Sequence, residues 1–129
     1  MTTVYGPLRF MMDEFMKNAG ERGKEILTFL YPPVRMYEDN GELVIEADMP
    51  GFPKKEIKVV ANKFSMEISA SRKTEKELNL YMDQRPDNVR KTIKLPVELD
   101  TDKPYTAKYS DGVLTIRAAI KGLRTLKVE

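Results

Sequence analysis

The chain has 129 residues, enough to bury one core of its own, and its 22 basic and 20 acidic side chains leave a net charge of only +2. So small a net charge gives no field that would gather nucleic acid or anionic membrane. Histidine and cysteine are absent, which removes the usual general base, the best nucleophile, disulfide frameworks and the common zinc ligand sets.

Residues 1–31 have a texture of their own. They hold Met1, Met11, Met12 and Met16 together with Phe10, Phe15 and Phe29. Leu8, Met11, Met12, Phe15 and Met16 recur at helical spacing, so a short amphipathic helix is expected, ended near Gly20 to Gly23. A second apolar cluster, Ile26-Leu27-Thr28-Phe29-Leu30-Tyr31, runs into Pro32-Pro33, which stops it sharply. Methionine and phenylalanine offer soft, adaptable apolar surface, suited to packing on other copies of the chain or on varied partners.

From Val34 to Ile120 the pattern becomes short alternating stretches between turns. Phe64, Met66, Ile68 and Ala70 alternate with Ser65, Glu67, Ser69 and Ser71, a period of two with one wet face. Stretches 43–47, 57–61, 92–95 and 113–116 behave alike, with hairpin turns at Asp39-Asn40-Gly41 and Ala61-Asn62-Lys63. About eight short strands without intervening helices predict an all-β, immunoglobulin-like antiparallel β-sandwich. Lys73 to Asn88 interrupts it as a long charged loop whose apolar island, Leu78, Leu80, Tyr81 and Met82, is placed to add a strand to a neighbour's sheet edge.

Beyond Gly122 the chain ends in Leu126-Lys127-Val128-Glu129. In an extended segment Leu126 and Val128 point to one side and Lys127 to the other, a two-pronged apolar hook made for a groove on another surface. Burying both prongs contributes roughly 1.5–3 kcal/mol each, a weak bond that gains force when many copies act together.

Catalytic patterns are missing. Ser65, Ser69, Ser71 and Ser110 sit in no Gly-x-Ser-x-Gly elbow, and the isolated glycines make no phosphate-binding loop. Asp100-Thr101-Asp102 reads as turn chemistry beside Pro104. No catalytic, cofactor or metal residues are therefore expected. Arg117, Lys121, Arg124 and Lys127 might be taken for a nucleic-acid or membrane patch, but no aromatics interleave with them; they are read as solubilising the tail. No apolar run approaches the roughly 20 residues that span a bilayer, and the start of the chain carries no secretory pattern, so a cytoplasmic address is expected. The many interspersed Lys and Glu point to a hot habitat.

Several of these elements together resemble the small heat-shock proteins, the α-crystallin family. They are Asp48-Met49-Pro50-Gly51 after a strand, Leu95-Pro96 ending another, Ala107-Lys108-Tyr109-Ser110-Asp111-Gly112-Val113-Leu114, and the terminal Leu126-Lys127-Val128, matched in order along residues 33–128. The arrangement is most similar to the archaeal, bacterial and plant type. The resemblance implies an arm at 1–31, an α-crystallin domain at 32–120 and a tail at 121–129. It implies that Leu80-Tyr81-Met82 is exchanged between subunits to pair with Val34-Arg35-Met36-Tyr37 of a partner, with Lys91 standing where the family often has an arginine. The hook would be received between the strand bearing Ile57, Val59 and Ala61 and the strand bearing Tyr105, Ala107 and Tyr109. Clients would be captured by arm residues Leu8, Phe10, Met11, Met12, Phe15, Met16, Ile26, Leu27, Phe29 and Leu30. The implied function is ATP-independent holding of unfolding proteins from a large homo-oligomer of dimers, with no cofactor and with no nucleic-acid or membrane partner. The rival reading is a monomeric β-sandwich adaptor that binds one specific folded partner.

Overall fold

The computed structural model describes residues 30–73, 78–122 and 128–129. Seven strands, one fewer than the alternation suggests, run through them: β1 Val34–Asp39, β2 Glu42–Asp48, β3 Ile57–Ala61, β4 Ser65–Ser71, β5 Asn88–Lys94, β6 Thr106–Ser110 and β7 Val113–Ala119. A 3-10 turn, Lys54–Glu56, leads into β3. One sheet has the order β1-β2-β7-β6 and the other β3-β4-β5, and all neighbours are antiparallel.

Alternation decides which side chains meet. Leu43, Ile45 and Ala47 of β2 and Leu114, Ile116 and Ala118 of β7 face Met66, Ile68 and Ala70 of β4 and Val89 and Ile93 of β5. Every one of these is buried. Met49 and Phe52, just past β2, and Leu99 and Ile120, joined by an isolated bridge, close the ends of the same core. No polar or charged residue is buried among those described, so the sandwich is held by apolar packing rather than by an internal ionic network.

The turns carry the backbone chemistry expected of them. Asn40 and Gly41 both have positive φ, at 52° and 78°, as do Asp111 and Gly112, at 54° and 77°. Both pairs close two-residue hairpins whose twist suits the flanking strands. At Asn62 the side-chain Oδ1 accepts from the backbone N–H of Phe64 and of Ser65, at 2.9 and 2.8 Å, which turns β3 into β4. That turn also corrects the alternation at one place: β4 begins at Ser65, and Phe64, expected on the inner face with Met66, is 63% exposed.

Gly112 is the most constrained turn position. A Cβ there would lie 3.1 Å from Pro50 Cα, while the Gly112 carbonyl accepts from Met49 N at 2.7 Å, so the hairpin end is pressed against the β2 exit. Gly112→Ala is expected to lower stability by about 1–3 kcal/mol, measured as a reduced urea midpoint with an unchanged slope.

Candidate functional site

The residues that the sequence singles out lie along the edges of the two sheets. The side chain of Lys91 points inward from β5, opposite Ile68 of β4, and its Nζ donates to the Pro32 carbonyl at 2.9 Å. That bond lays β5 beside the entry to β1. With β5 and β1 on one side, the orders of the two sheets bring their other edges, β3 and β6, to the opposite side. Burial lowers the Lys91 pKa from the ordinary lysine value. An inward-pointing charge on an edge strand also discourages pairing of β5 with a second β5.

Along the opposite side, Ile57, Val59 and Ala61 of β3 and Tyr105, Ala107 and Tyr109, five of which pack against the core from partly exposed positions, line the facing edges. Ala107, the sixth, is exposed and stands across from Ile116 of β7. Ala107 thus puts a small side chain between the two tyrosines along this edge. Tyr109 is anchored by its hydroxyl, which donates to the Met49 carbonyl at 2.6 Å.

Tyr105 is different. Its hydroxyl is buried without a hydrogen-bond partner among the described residues, and its pKa is raised, first by that burial and then by the nearby Asp100 carboxylate. A buried unsatisfied hydroxyl costs roughly 1–3 kcal/mol. Tyr105→Phe is therefore expected to raise stability by about 1 kcal/mol, read as a higher urea midpoint. A fall of similar size would show that the hydroxyl has a partner in solution.

The β1 edge has the other character. Arg35 places Nε and Nη2 at 2.7 and 2.5 Å from Glu46 Oε1 on β2, and its guanidinium lies 5.3 Å from the centroid of the Tyr37 ring. Tyr37 donates to Glu46 Oε2 at 3.3 Å, and the Glu46 hydrogen bond raises the Arg35 pKa. These contacts stiffen the outer face of β1 next to Val34 and Met36, whose partners on β2 are Ala47 and Ile45. The far edge of β1 is unpaired among the described residues.

The segments expected to occupy these edges are not seated on them. Leu80, Tyr81 and Met82 belong to no strand and are 56%, 102% and 45% exposed. Val128 is 92% exposed. Leu126 lies outside the described residues, as do arm residues Leu8, Phe10, Met11, Met12, Phe15, Met16, Ile26, Leu27 and Phe29; Leu30, the one described, is exposed. Arg117, grouped from the sequence with the basic tail, sits in β7 and is paired with Asp39 and Glu42 at 3.1 and 3.2 Å. It adds no free charge near the tail.

Residues 35–125 match the Hsp20/alpha crystallin family. The chain belongs to that family. A point mutant of hsp14.1 from Sulfolobus solfatataricus P2 superimposes with a TM-score of 0.70 at 36% identity, covering 92% of this chain and 97% of that one. A small heat-shock protein of Xylella fastidiosa, described as having a distinct high order structure, gives 0.59 at 28% identity over 76% of this chain and 93% of its own. A probable 15 kDa heat shock protein of Leptospira interrogans is 29% identical over 112 residues, 84% of this chain and 85% of the relative. The fold is thus the α-crystallin β-sandwich of the small heat-shock chaperones. No group of His, Cys, Asp and Glu suited to a metal ion occurs among the described residues, and no described helix is long and apolar enough to cross a membrane.

The partner of Lys91, the Tyr105 hydroxyl left without one among the described residues, and the pairing of Arg117 are what residue patterns do not reveal. An alternation count places Lys91 inside, between Val89 and Ile93, but only three-dimensional proximity discloses the Pro32 carbonyl that receives it.

Proposed function

We propose that this chain is an ATP-independent holdase of the cytoplasm that captures partly unfolded proteins from a homo-oligomer built of dimers. One observation supports this most directly. A single chain carries exposed apolar segments, Leu80–Met82 and Val128, together with sheet edges that no strand among the described residues covers. Each is an open valence, and a second copy can satisfy it.

In this reading Leu80, Tyr81 and Met82 add a strand to the partner's β1 and make the dimer. Leu126 and Val128 then enter the slot between β3 and β6 of another dimer. Lys91 steadies the dimer side from within by holding β5 to Pro32. The arm residues Leu8 to Met16 and Ile26 to Leu30 supply adaptable apolar surface, sequestered between copies when the assembly is closed. Heating loosens the weak tail contacts first and bares the arms when other proteins begin to expose their own cores. Capture lowers the concentration of sticky chains by mass action, which requires no nucleotide.

The test is light scattering from a heat-labile protein warmed with and without this chain in the absence of ATP. Suppression near stoichiometric amounts is expected. Unaltered scattering across several clients, from a chain that sediments as a monomer, would overturn the reading in favour of an adaptor for one folded partner.

A further inference from the structure

A cluster away from both sheet edges has the makings of a ligand site. Gly51, in the turn that leaves β2, has φ +88°, and a Cβ placed on it would lie 2.8 Å from Arg72 Nη1 and 3.2 Å from Arg85 Nη2. Two guanidinium nitrogens thus converge on one point over a bare glycine. Neither arginine forms an ion pair among the described residues. Asp83 Oδ1 accepts from the backbone N–H of Arg85, and the Asp87 main-chain carbonyl accepts from Arg72 N at 2.8 Å.

Arg72 is held in place. Its Cζ stands 4.3 Å from the centroid of the Phe52 ring, and Nη1 donates to the Pro50 carbonyl at 3.3 Å. Stacking on a buried ring fixes the plane of the fork, so little side-chain freedom is lost when an anion binds. Arg85 comes from the long loop and is exposed, which leaves the cradle open to solvent. Two guanidiniums brought together with no ion-pair partner among the described residues repel each other. An anion between them removes that repulsion and gains charge-assisted hydrogen bonds from both.

We propose that Arg72 and Arg85, with Gly51 as floor, form a binding site for a phosphate-class dianion. Charge selects the ligand: two guanidinium cations over a glycine that carries no side chain match a phosphate near neutral pH better than a single carboxylate. Shape agrees, because a tetrahedral oxyanion presents separate oxygens to two forks. The Phe52 ring is buried and faced by Arg72, so it offers no face to a nucleobase, and recognition by the two forks is of the phosphate group. Occupancy joins three segments, the turn after β2, the end of β4 and the returning loop, and so tightens the root of the long loop.

The experiment uses the full chain in chloride buffer at constant ionic strength, titrated with inorganic phosphate and followed by calorimetry and by phosphorus-31 line width. Saturable binding is expected, weakened about tenfold by Arg85→Gln and unchanged by Arg90→Gln, whose arginine pairs with Glu67 on a different face. Arg72→Lys, which keeps the charge but loses the fork, is also expected to weaken it. Thermal unfolding of each variant in chloride alone checks that the fold is kept. Adenosine triphosphate binding like inorganic phosphate, with adenosine silent, assigns recognition to the phosphate group from either source. Binding that fails to saturate, or that falls equally with Arg90→Gln, overturns the proposal and leaves general charge attraction in its place.

Discussion

Replacing Leu126 and Val128 together by alanine is expected to take this chain from a large assembly to free dimers. Each prong of the hook contributes roughly 1.5–3 kcal/mol when buried, and alanine keeps only part of that. A loss of a few kcal/mol at one contact is modest, but every subunit carries one hook and one slot. In a closed particle those contacts act in concert, so weakening all of them dismantles the particle rather than thinning it. Size-exclusion chromatography with light scattering reads the result directly. The slot offers an independent check, because Ala107→Phe fills the exposed gap between Tyr105 and Tyr109 without touching the tail. It should dismantle the assembly to a similar extent. Combining it with the tail variant should add little, since both remove one interaction. A particle of unchanged size in either case would mean that the tail is not what holds dimers together.

How far the sequence reached depends on the range of the interaction involved. Period-two patterns are local, so the stretches around Leu43, Ile57, Met66 and Val113 became strands close to where alternation put them. Turn chemistry is local too, and Asn40-Gly41 and Asp111-Gly112 adopt the positive φ that such pairs favour. Phe64 shows the limit: its spacing fits the inner face, yet the Asn62 side chain caps the turn and strand geometry starts one residue later. Contacts between distant parts of the chain left no periodic trace. Lys91 reaches a carbonyl 59 residues away, and Arg72 and Arg85 meet over a glycine in a third segment. The edges were legible in another sense. Strand order within each sheet follows from topology, which composition does not encode, and it was the resemblance to a family that assigned β3 and β6 to one groove. In the proposed assembly what fills those edges comes from other copies of the chain, which a single sequence does not display.

Tyr81→Pro is expected to separate the dimer while leaving the sandwich intact. In the single chain Tyr81 is fully exposed and in no strand, so a proline there disturbs no described packing. Strand exchange makes different demands. When Leu80-Tyr81-Met82 lies along the partner's β1, its backbone must donate to and accept from the free edge of Val34–Asp39. Proline supplies no N–H, and its ring restricts the residue before it, so one ladder bond is lost and an acceptor on β1 is left without its donor. At roughly 1–3 kcal/mol for such an orphan, each loss should raise the dimer dissociation constant about five- to a hundred-and-fiftyfold. In the proposed dimer exchange runs in both directions across a two-fold axis, so each dimer would suffer the loss twice and the two factors multiply. Sedimentation at micromolar concentration should then show monomers, with a circular dichroism spectrum still dominated by strand. Tyr81→Phe separates backbone from side chain, since it keeps the donor and the ring and should leave the dimer whole. If Tyr81→Pro sediments as the parent dimer, the loop does not carry the exchanged strand, and the free edge of β1 must be covered by another part of the chain.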